Sequence, residues 1–188
     1  MSKLFKIFLA LLAVAVAVLG IIGGIETSQR VKYPVAYGDY IAKYAAENDL
    51  DPYLVMAVIK VESNFVPEAS SHVAYGLMQL TEETAEWNAK DMNITYDYDF
   101  TEPETSIQFG CHYLRHLIDI YVNIDTALAA YNAGMGNVYA WLKNPEYSDD
   151  GVTLKYIPFP ETRSYVERVN KYWERYKEVG FDENHDYD

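Results

Sequence analysis

The sequence predicts an all-α domain of ordinary size behind an apolar N-terminal helix. Apolar residues recur at intervals of three and four through most of the chain after residue 36, which is the period of an amphipathic helix. No run of four to eight residues alternates between apolar and polar, as a half-buried strand would. Half of the 188 residues are hydrophobic, so a core can be buried. We expect one domain over residues 37–180, a linker at 26–36 and a frayed acidic tail at 181–188.

The N-terminal stretch predicts a membrane anchor. Residues Ile7 to Ile25 are all apolar or glycine, and a helix of that length spans roughly 28 Å, close to a bilayer core of about 30 Å. Lys3 and Lys6 precede it, which favours a cytoplasmic N-terminus. We expect residues 1–25 to form an uncleaved signal anchor. The chain would then cross the cell membrane once, with its folded domain outside the cytoplasm. Secretion after cleavage of a signal is the alternative.

Charge and cysteine content exclude some classes of protein. The net charge of -13 argues against a nucleic-acid partner, since such proteins need a basic surface. Cys111 is the one cysteine, so no intramolecular disulfide can form. Aromatic residues make up 15% of the chain, 18 of them tyrosines. Composition leaves open whether these rings fill the core or line a groove for sugars.

The first half of the domain predicts three helices. Apolar and aromatic residues open it at helical spacing: Tyr37, Tyr40, Ile41, Tyr44 and Ala45. Asp51 followed by Pro52 is typical of a helix start, and the helix expected over 52–63 is almost wholly apolar. That composition is typical of a buried central helix. After a loop, Thr81 can cap a short helix to about Asn88.

The second half continues the helical pattern. Thr101 and Glu104 fit a capping box. The helix that it would open carries a core stripe: Ile107, Cys111, Leu114, Ile118 and Tyr121. Asp125 is expected to cap the next helix, which Gly134 and Gly136 end before a short helix around Val138–Leu142. A loop over 144–159 leads to a last long helix that begins near Pro160.

Glu62 is the first candidate for chemistry. It ends the apolar helix, and Val55, Val58 and Ile59 lie on its own face. A carboxyl there should lose part of its water, which raises its pKa toward neutrality. A neutral carboxyl near pH 7 can act as a general acid. The alternative is an ordinary glutamate at a helix end that points at water.

Three further motifs follow, and each also has a purely structural interpretation. In 76–79 (GLMQ), Gly76 permits a positive φ, Met78 offers an adaptable apolar surface and Gln79 offers donors and acceptors. In 130–134 (AYNAG), Tyr131 could reach the acid and Asn132 could hold an N-acetyl group. The segment 161–166 (ETRSYV) contains Tyr165. Taken alone, these are a loop-to-helix junction, a helix end and a first helical turn.

The four motifs in this order closely resemble the transglycosylase domain of soluble lytic transglycosylases, glycoside hydrolase family 23. The resemblance covers about residues 37–176 and implies an α-helical, lysozyme-like fold around a sugar groove. It implies that Glu62 is the catalytic residue, and Gly76 belongs to the GLMQ motif expected at the substrate site. The remaining matches are to positions that line or brace the family's site: Ser63, Met78, Gln79, Tyr131, Asn132 and Tyr165. Val73 departs from the family pattern, which has glycine there.

The reaction that the resemblance implies needs one carboxyl group. Glu62 would cleave the bond between N-acetylmuramic acid and N-acetylglucosamine in peptidoglycan strands and form a 1,6-anhydro sugar. Five acidic residues could still provide a second carboxylate and make the protein a hydrolytic muramidase: Glu82, Glu83, Glu86, Asp97 and Asp99. A non-catalytic wall-binding scaffold is the third hypothesis. His112 and His116 lack the rest of a zinc motif, so neither a metal nor a cofactor is expected.

Overall fold

The computed structural model describes residues 11–12, 14–20, 36–71 and 73–179. The chain divides into two compact units, Met1–Val35 and Ala36–Asp188. Residues 11–12 and 14–20 of the first unit are helical, with exposed side chains. Among all of these described residues, no helix is long and apolar enough to cross a membrane. Most of the predicted span 7–25 lies outside the described residues, as do residues 26–35 of the linker and the tail 181–188.

The second unit is built from helices, as the sequence predicts. Its described part contains helices α1 (Gly38–Glu47), α2 (Pro52–Glu62), α3 (Glu82–Asp91), α4 (Pro103–Tyr121), α5 (Ile124–Ala133), α6 (Met135–Leu142) and α7 (Pro160–Val179). Two short strands, β1 (Ala74–Tyr75) and β2 (Leu80–Thr81), form an antiparallel hairpin that the sequence analysis did not predict. Strands of two residues are too short to leave a detectable alternation in the sequence.

Helix α2 is the buried central helix, and α7 packs against it. Six consecutive residues, from Leu54 to Ile59, are buried in α2. Asp51 caps the helix by accepting a hydrogen bond from the backbone N–H of Tyr53 at 2.9 Å, as predicted. Asp51 also accepts a 2.7 Å hydrogen bond from the indole N–H of Trp173 in α7. Helix α7 therefore holds the first turn of α2 through Trp173.

Helix α4 supplies the second part of the core. Its predicted stripe is confirmed, since every member is buried, Cys111 included. Helix α5 packs against α4, α6 and α7, and α3 packs against α4. These contacts bring the C-terminal end of α2, the turn between the two strands and the C-terminal end of α5 into one region.

Two predicted helix caps are wrong. The capping box of Thr101 and Glu104 does not form, because α4 begins at Pro103, whose fixed φ suits a first helical turn. The Thr101 hydroxyl donates instead to Asp99 at 2.6 Å. The cap of α5 is Asn123, whose side-chain oxygen accepts from the Thr126 N–H at 2.9 Å, and Asp125 lies in the first turn.

The hairpin leads directly into α3. Two residues between the strands have a positive φ, Gly76 at 78° and Gln79 at 47°, and they reverse the chain. Thr81 caps α3 as predicted, accepting from the Thr84 N–H at 3.1 Å. The helix then continues to Asp91, three residues past the predicted end.

Candidate active site

Glu62 is the last residue of α2 and is half-buried. Loss of water on burial raises the pKa of its carboxyl from 4.5 to about 7. Two groups oppose this shift, the Tyr165 hydroxyl as a hydrogen-bond donor and Arg168 through its charge. The carboxyl is therefore balanced between its neutral and ionised forms near pH 7, as expected for an acid that gives up and recovers a proton.

Tyr165 reaches Glu62 from the first turns of α7 and is almost fully buried. Its hydroxyl has no full hydrogen bond within the described part of the chain. The hydroxyl is nevertheless close enough to Glu62 to lower the pKa of the carboxyl, although the contact does not meet the geometry of a normal hydrogen bond. Burial, together with the Glu62 charge, raises the pKa of Tyr165 far above its ordinary value, so the hydroxyl remains a neutral donor.

Tyr131 approaches Glu62 from α5 and holds the hairpin turn. Its hydroxyl donates a 2.8 Å hydrogen bond to the carbonyl oxygen of Met78. Burial and the charge of Glu62 both raise the pKa of Tyr131, which shows that its hydroxyl lies near the carboxyl. Tyr131 therefore links the acid to the turn and has no further hydroxyl hydrogen to donate to a ligand.

Contacts with α4 fix the position of the turn from Gly76 to Gln79. A Cβ on Gly76 would lie 2.8 Å from the Ser106 hydroxyl oxygen, which also accepts a 3.2 Å hydrogen bond from the Met78 N–H. The Met78 side chain is completely buried, and its sulfur would lie 2.2 Å from a Cβ on Gly110. Met78 thus anchors the turn in the core and does not present an open apolar surface.

The Gln79 side chain also braces this turn. Its amide nitrogen donates to the carbonyl oxygens of Ala69 and Gly76, each at 2.9 Å. On the far side of the turn a cleft of about 590 Å³ opens, and Glu62 is not among its lining residues. The cleft is lined by Pro67, Glu68, Ala69, Ser70, Tyr75, Gly76, Thr101, Glu102 and Pro103.

Ser63 and Asn132 differ in whether their side-chain polar groups make hydrogen bonds within the described part of the protein. The Ser63 hydroxyl is buried and donates to the Ile59 carbonyl oxygen at 3.2 Å, which helps to end α2. The half-buried side-chain amide of Asn132 makes no hydrogen bond to any described residue. Of the polar residues predicted for the site, Asn132 is therefore the best placed to bind a ligand amide or hydroxyl.

Sequence reasoning missed the supports of the site. Ser106 and Gly110 on α4 hold the turn, and the charge of Arg168 acts on Glu62. A glycine inside a long helix is unfavourable without a packing reason, so Gly110 was a detectable signal. No signal in the sequence distinguished Arg168 from other charged residues of α7.

Within residues 36–71 and 73–179, the structure does not bring a second carboxylate to Glu62. Among the described residues, no acidic side chain contributes to the pKa shift of Glu62. Asp99 accepts a hydrogen bond from the Thr101 hydroxyl. Glu82, Glu83 and Glu86 are exposed on α3. The site therefore has one poised carboxyl group, with neutral tyrosines around it.

Fold and site together define a helical, lysozyme-like domain with a poised acid at Glu62. The chain belongs to the transglycosylase SLT domain family, whose sequence profile matches residues 39–152. It is 38% identical over 148 residues to a soluble lytic murein transglycosylase of Salmonella typhimurium, an alignment covering 75% of this chain and 23% of the relative. It is 34% identical over 169 residues to a membrane-bound lytic murein transglycosylase F of Desulfosudis oleivorans, covering 73% and 36%.

A solved structure supports the same assignment. A lytic transglycosylase Slt of Pseudomonas aeruginosa, an inactive mutant with glutamine in place of one glutamate, superposes with a TM-score of 0.70 and 30% identity. The match covers 80% of this chain and 25% of that one. The chain thus corresponds to about a quarter of the length of the soluble relatives.

Proposed function

We propose that this protein is a peptidoglycan lytic transglycosylase. It cleaves the β-1,4 bond between N-acetylmuramic acid and N-acetylglucosamine and leaves 1,6-anhydro ends. The observation that carries the proposal is the Glu62 carboxyl, which has a pKa of about 7 and on which no other carboxylate of the described residues acts. The names of the relatives, which are lytic murein transglycosylases, support the same activity.

One residue can provide both proton transfers of this reaction. The neutral Glu62 carboxyl gives its proton to the glycosidic oxygen, and the bond from that oxygen to the muramic acid C1 breaks. The N-acetyl oxygen of the substrate stabilises the positive charge at C1. The Glu62 carboxylate then takes the proton of the C6 hydroxyl as its oxygen attacks C1. Glu62 is neutral again, and no water is consumed.

An internal nucleophile explains why one carboxyl group is sufficient. The C6 hydroxyl belongs to the same sugar as C1, so its effective concentration is far above that of a free reactant. Most glycoside hydrolases use a second carboxylate to activate water or to attack C1. The surroundings of Glu62 provide neutral tyrosines instead, which suits an internal reaction.

The other site residues receive supporting roles in this proposal. Tyr165 donates a hydrogen bond to Glu62 once the carboxyl is ionised, and Asn132 binds an N-acetyl group with its free amide. Ser63 and Tyr131 fix the two sides of the acid. Gly76, Met78 and Gln79 keep the turn rigid, so the backbone of the turn is the part that meets the substrate.

The test uses the full-length chain and purified sacculi. Glu62→Gln should reduce release of muropeptides at least a thousandfold while the fold survives, because the amide has the same shape and cannot donate the proton. Glu86→Gln, an exposed change on α3, should retain wild-type activity. Full activity in Glu62→Gln would refute the assignment.

Product masses separate the possible activities. Muropeptides lighter by one water than reducing ends indicate a transglycosylase, and full-mass reducing ends indicate a hydrolytic muramidase. Binding to sacculi without cleavage by the wild type would indicate a scaffold. Only the first result supports the proposed function.

We further propose that residues 1–25 anchor the domain in the cell membrane, with the domain outside the cytoplasm. The described residues of this stretch are helical with exposed apolar side chains, Leu11, Val14 and Leu19 among them. A relative with a membrane-bound name is consistent with this location. Fractionation followed by N-terminal sequencing tests the proposal. A soluble protein that begins near Glu26 would show a cleaved signal instead.

A further inference from the structure

A band of aromatic rings leads away from Glu62 along the surface of α5, α4 and α3. The ring of Tyr131, whose hydroxyl lies near the acid, contacts the ring of Tyr113 with centroids 5.5 Å apart. Tyr113 in turn contacts Trp87 edge-on at 5.8 Å. Trp87 packs on His116 at 4.5 Å. Residues from three helices thus form one continuous aromatic surface that starts at the acid.

These rings are neither core nor isolated surface residues. Each of the four is half-buried, so each shows part of its surface to solvent. The position of Trp87 is fixed by a further stacked contact, to His112 at 5.8 Å. The His112 ring is held in turn by Asp91, with its Nε2 atom 2.9 Å from a carboxylate oxygen. The indole therefore lies in a defined place before any ligand arrives.

The polar groups of Trp87 and Tyr113 lie at the edges of this surface. Neither the indole N–H of Trp87 nor the hydroxyl of Tyr113 has a hydrogen-bond partner among the described residues. Neither group is buried away from solvent. Flat rings with free polar edges match a sugar, whose C–H face packs on the ring while its hydroxyl and acetamido groups bind the edges.

We propose that Trp87 and Tyr113 form an outer saccharide subsite that binds a sugar of the glycan strand beyond the two at the scissile bond. The inference rests on the proposed function, because its occupant is a further unit of the same strand. Continuity with Tyr131 fixes this occupant, since a strand bound at Glu62 passes onto the adjoining rings. The subsite makes the enzyme prefer long strands.

The experiment measures binding of N-acetylglucosamine oligomers, the dimer and the hexamer, to the full-length chain in detergent by calorimetry. The Glu62→Gln background prevents cleavage. Trp87→Ala should weaken hexamer binding about tenfold and dimer binding less than twofold. Tyr96→Ala removes a 64% exposed ring from the loop before α4 and should change neither. Unchanged hexamer binding, or equal weakening of both oligomers, would overturn the inference.

Two milder variants cover the case in which Trp87→Ala does not fold. Trp87→Phe keeps a ring and should retain hexamer binding within threefold of the background chain. Tyr113→Phe removes only the free hydroxyl and should weaken hexamer binding about threefold with an unchanged melting temperature. Unchanged hexamer binding in Tyr113→Phe, or equal weakening of its dimer and hexamer binding, would also overturn the subsite.

The outcome is separate from that of the proposed function. If the wild type releases anhydro muropeptides while Trp87→Ala binds the hexamer normally, the subsite is wrong and the function stands. If the wild type releases full-mass reducing ends while Trp87→Ala loses the hexamer selectively, the function is wrong and the subsite stands.

Discussion

Glu62 occupies a position that disfavours a negative charge for two reasons. Its carboxyl has lost much of its water, and it stands at the C-terminal end of a helix, where the partial charge of the helix is negative. The hydroxyl of Tyr165 and the charge of Arg168 counter both effects in part. The balance keeps the pKa near neutrality, so small changes around the carboxyl should move the pH range of activity.

Replacing Tyr165 with Phe tests this balance at the level of one hydroxyl. The change removes a donor that lowers the pKa of Glu62, so the pKa should rise further. Because the acid must be neutral to act, the fall in kcat/KM at alkaline pH should move to higher pH. A pH profile of muropeptide release measures this, and a shift to lower pH would contradict the assignment.

Tyr131→Phe is the matched control for stability. The Tyr165 hydroxyl has no full hydrogen bond, so Tyr165→Phe should change the free energy of unfolding by less than about 0.5 kcal/mol. Tyr131→Phe removes a 2.8 Å hydrogen bond and should cost about 1 kcal/mol. Urea denaturation of both variants distinguishes the two tyrosines, and equal losses would show that Tyr165 is fully bonded.

At the scale of elements, the hairpin turn depends on close packing against α4. Gly110 lets the Met78 side chain reach the helix surface, and Met78 carries the carbonyl that Tyr131 holds. The turn, the helix and the Tyr131 side chain thus form one packed unit beside the acid. A change in α4 that displaces Met78 should therefore reach the active site.

Gly110→Ala tests this unit. The added Cβ would lie 2.8 Å from the Cβ of Met78, which belongs to the less flexible part of that side chain, so the turn must shift. We expect a loss of about 1–3 kcal/mol in the free energy of unfolding and at least a tenfold loss of kcat/KM. Gly136→Ala is the matched change in open space near the start of α6. Since alanine favours helices, it should leave stability equal or up to about 1 kcal/mol higher. Full activity in Gly110→Ala would contradict the role of the turn.

The helices could be predicted because their signals are local. Asp51 and Thr81 cap the helices for which they were proposed, and the apolar stripe of α4 lies in the core. The predicted caps at Thr101 and Asp125 failed because a neighbour competes for each helix start, Pro103 in one case and Asn123 in the other. The hairpin was missed because its strands are two residues long and its pairing depends on the turn at Gly76.

At the scale of the whole molecule, the raised pKa of Glu62 makes the free energy of unfolding depend on pH. The folded chain holds this proton more tightly than the unfolded chain, whose carboxyl has the ordinary pKa of 4.5. The contribution of Glu62 to stability is therefore highest below pH 4.5. It falls as pH rises from 4.5 to about 7 and is constant above that pH.

Glu62→Gln should consequently stabilise the protein in a pH-dependent way. At pH 8 the variant should be more stable than the wild type by up to about 3 kcal/mol, and at pH 4 the two should be nearly equal. Urea denaturation at the two pH values measures the difference. Glu86→Gln, an exposed carboxylate, is the control. The same gain at both pH values would show that Glu62 is not desolvated.

The residues of the candidate site could be proposed from the sequence, but their contacts could not. The motifs named Glu62, Tyr131 and Tyr165, and the fold brings these three together from α2, α5 and α7. The Gln79 amide nitrogen donates to the loop, and Met78 is buried. Both contacts depend on long-range packing, which local sequence patterns do not indicate. Sequence analysis alone could not separate the groups that brace the turn from those left free for a ligand.

Helix α7 meets α2 at both ends, at Asp51 through Trp173 and at Glu62 through Tyr165. These two contacts therefore fix the position of α2 along its axis relative to α7. A slip of one helical turn, about 5.4 Å, would carry the carboxyl out of reach of a proton acceptor that must lie within roughly 3 Å. Such a displacement would abolish the proposed activity while leaving every helix intact.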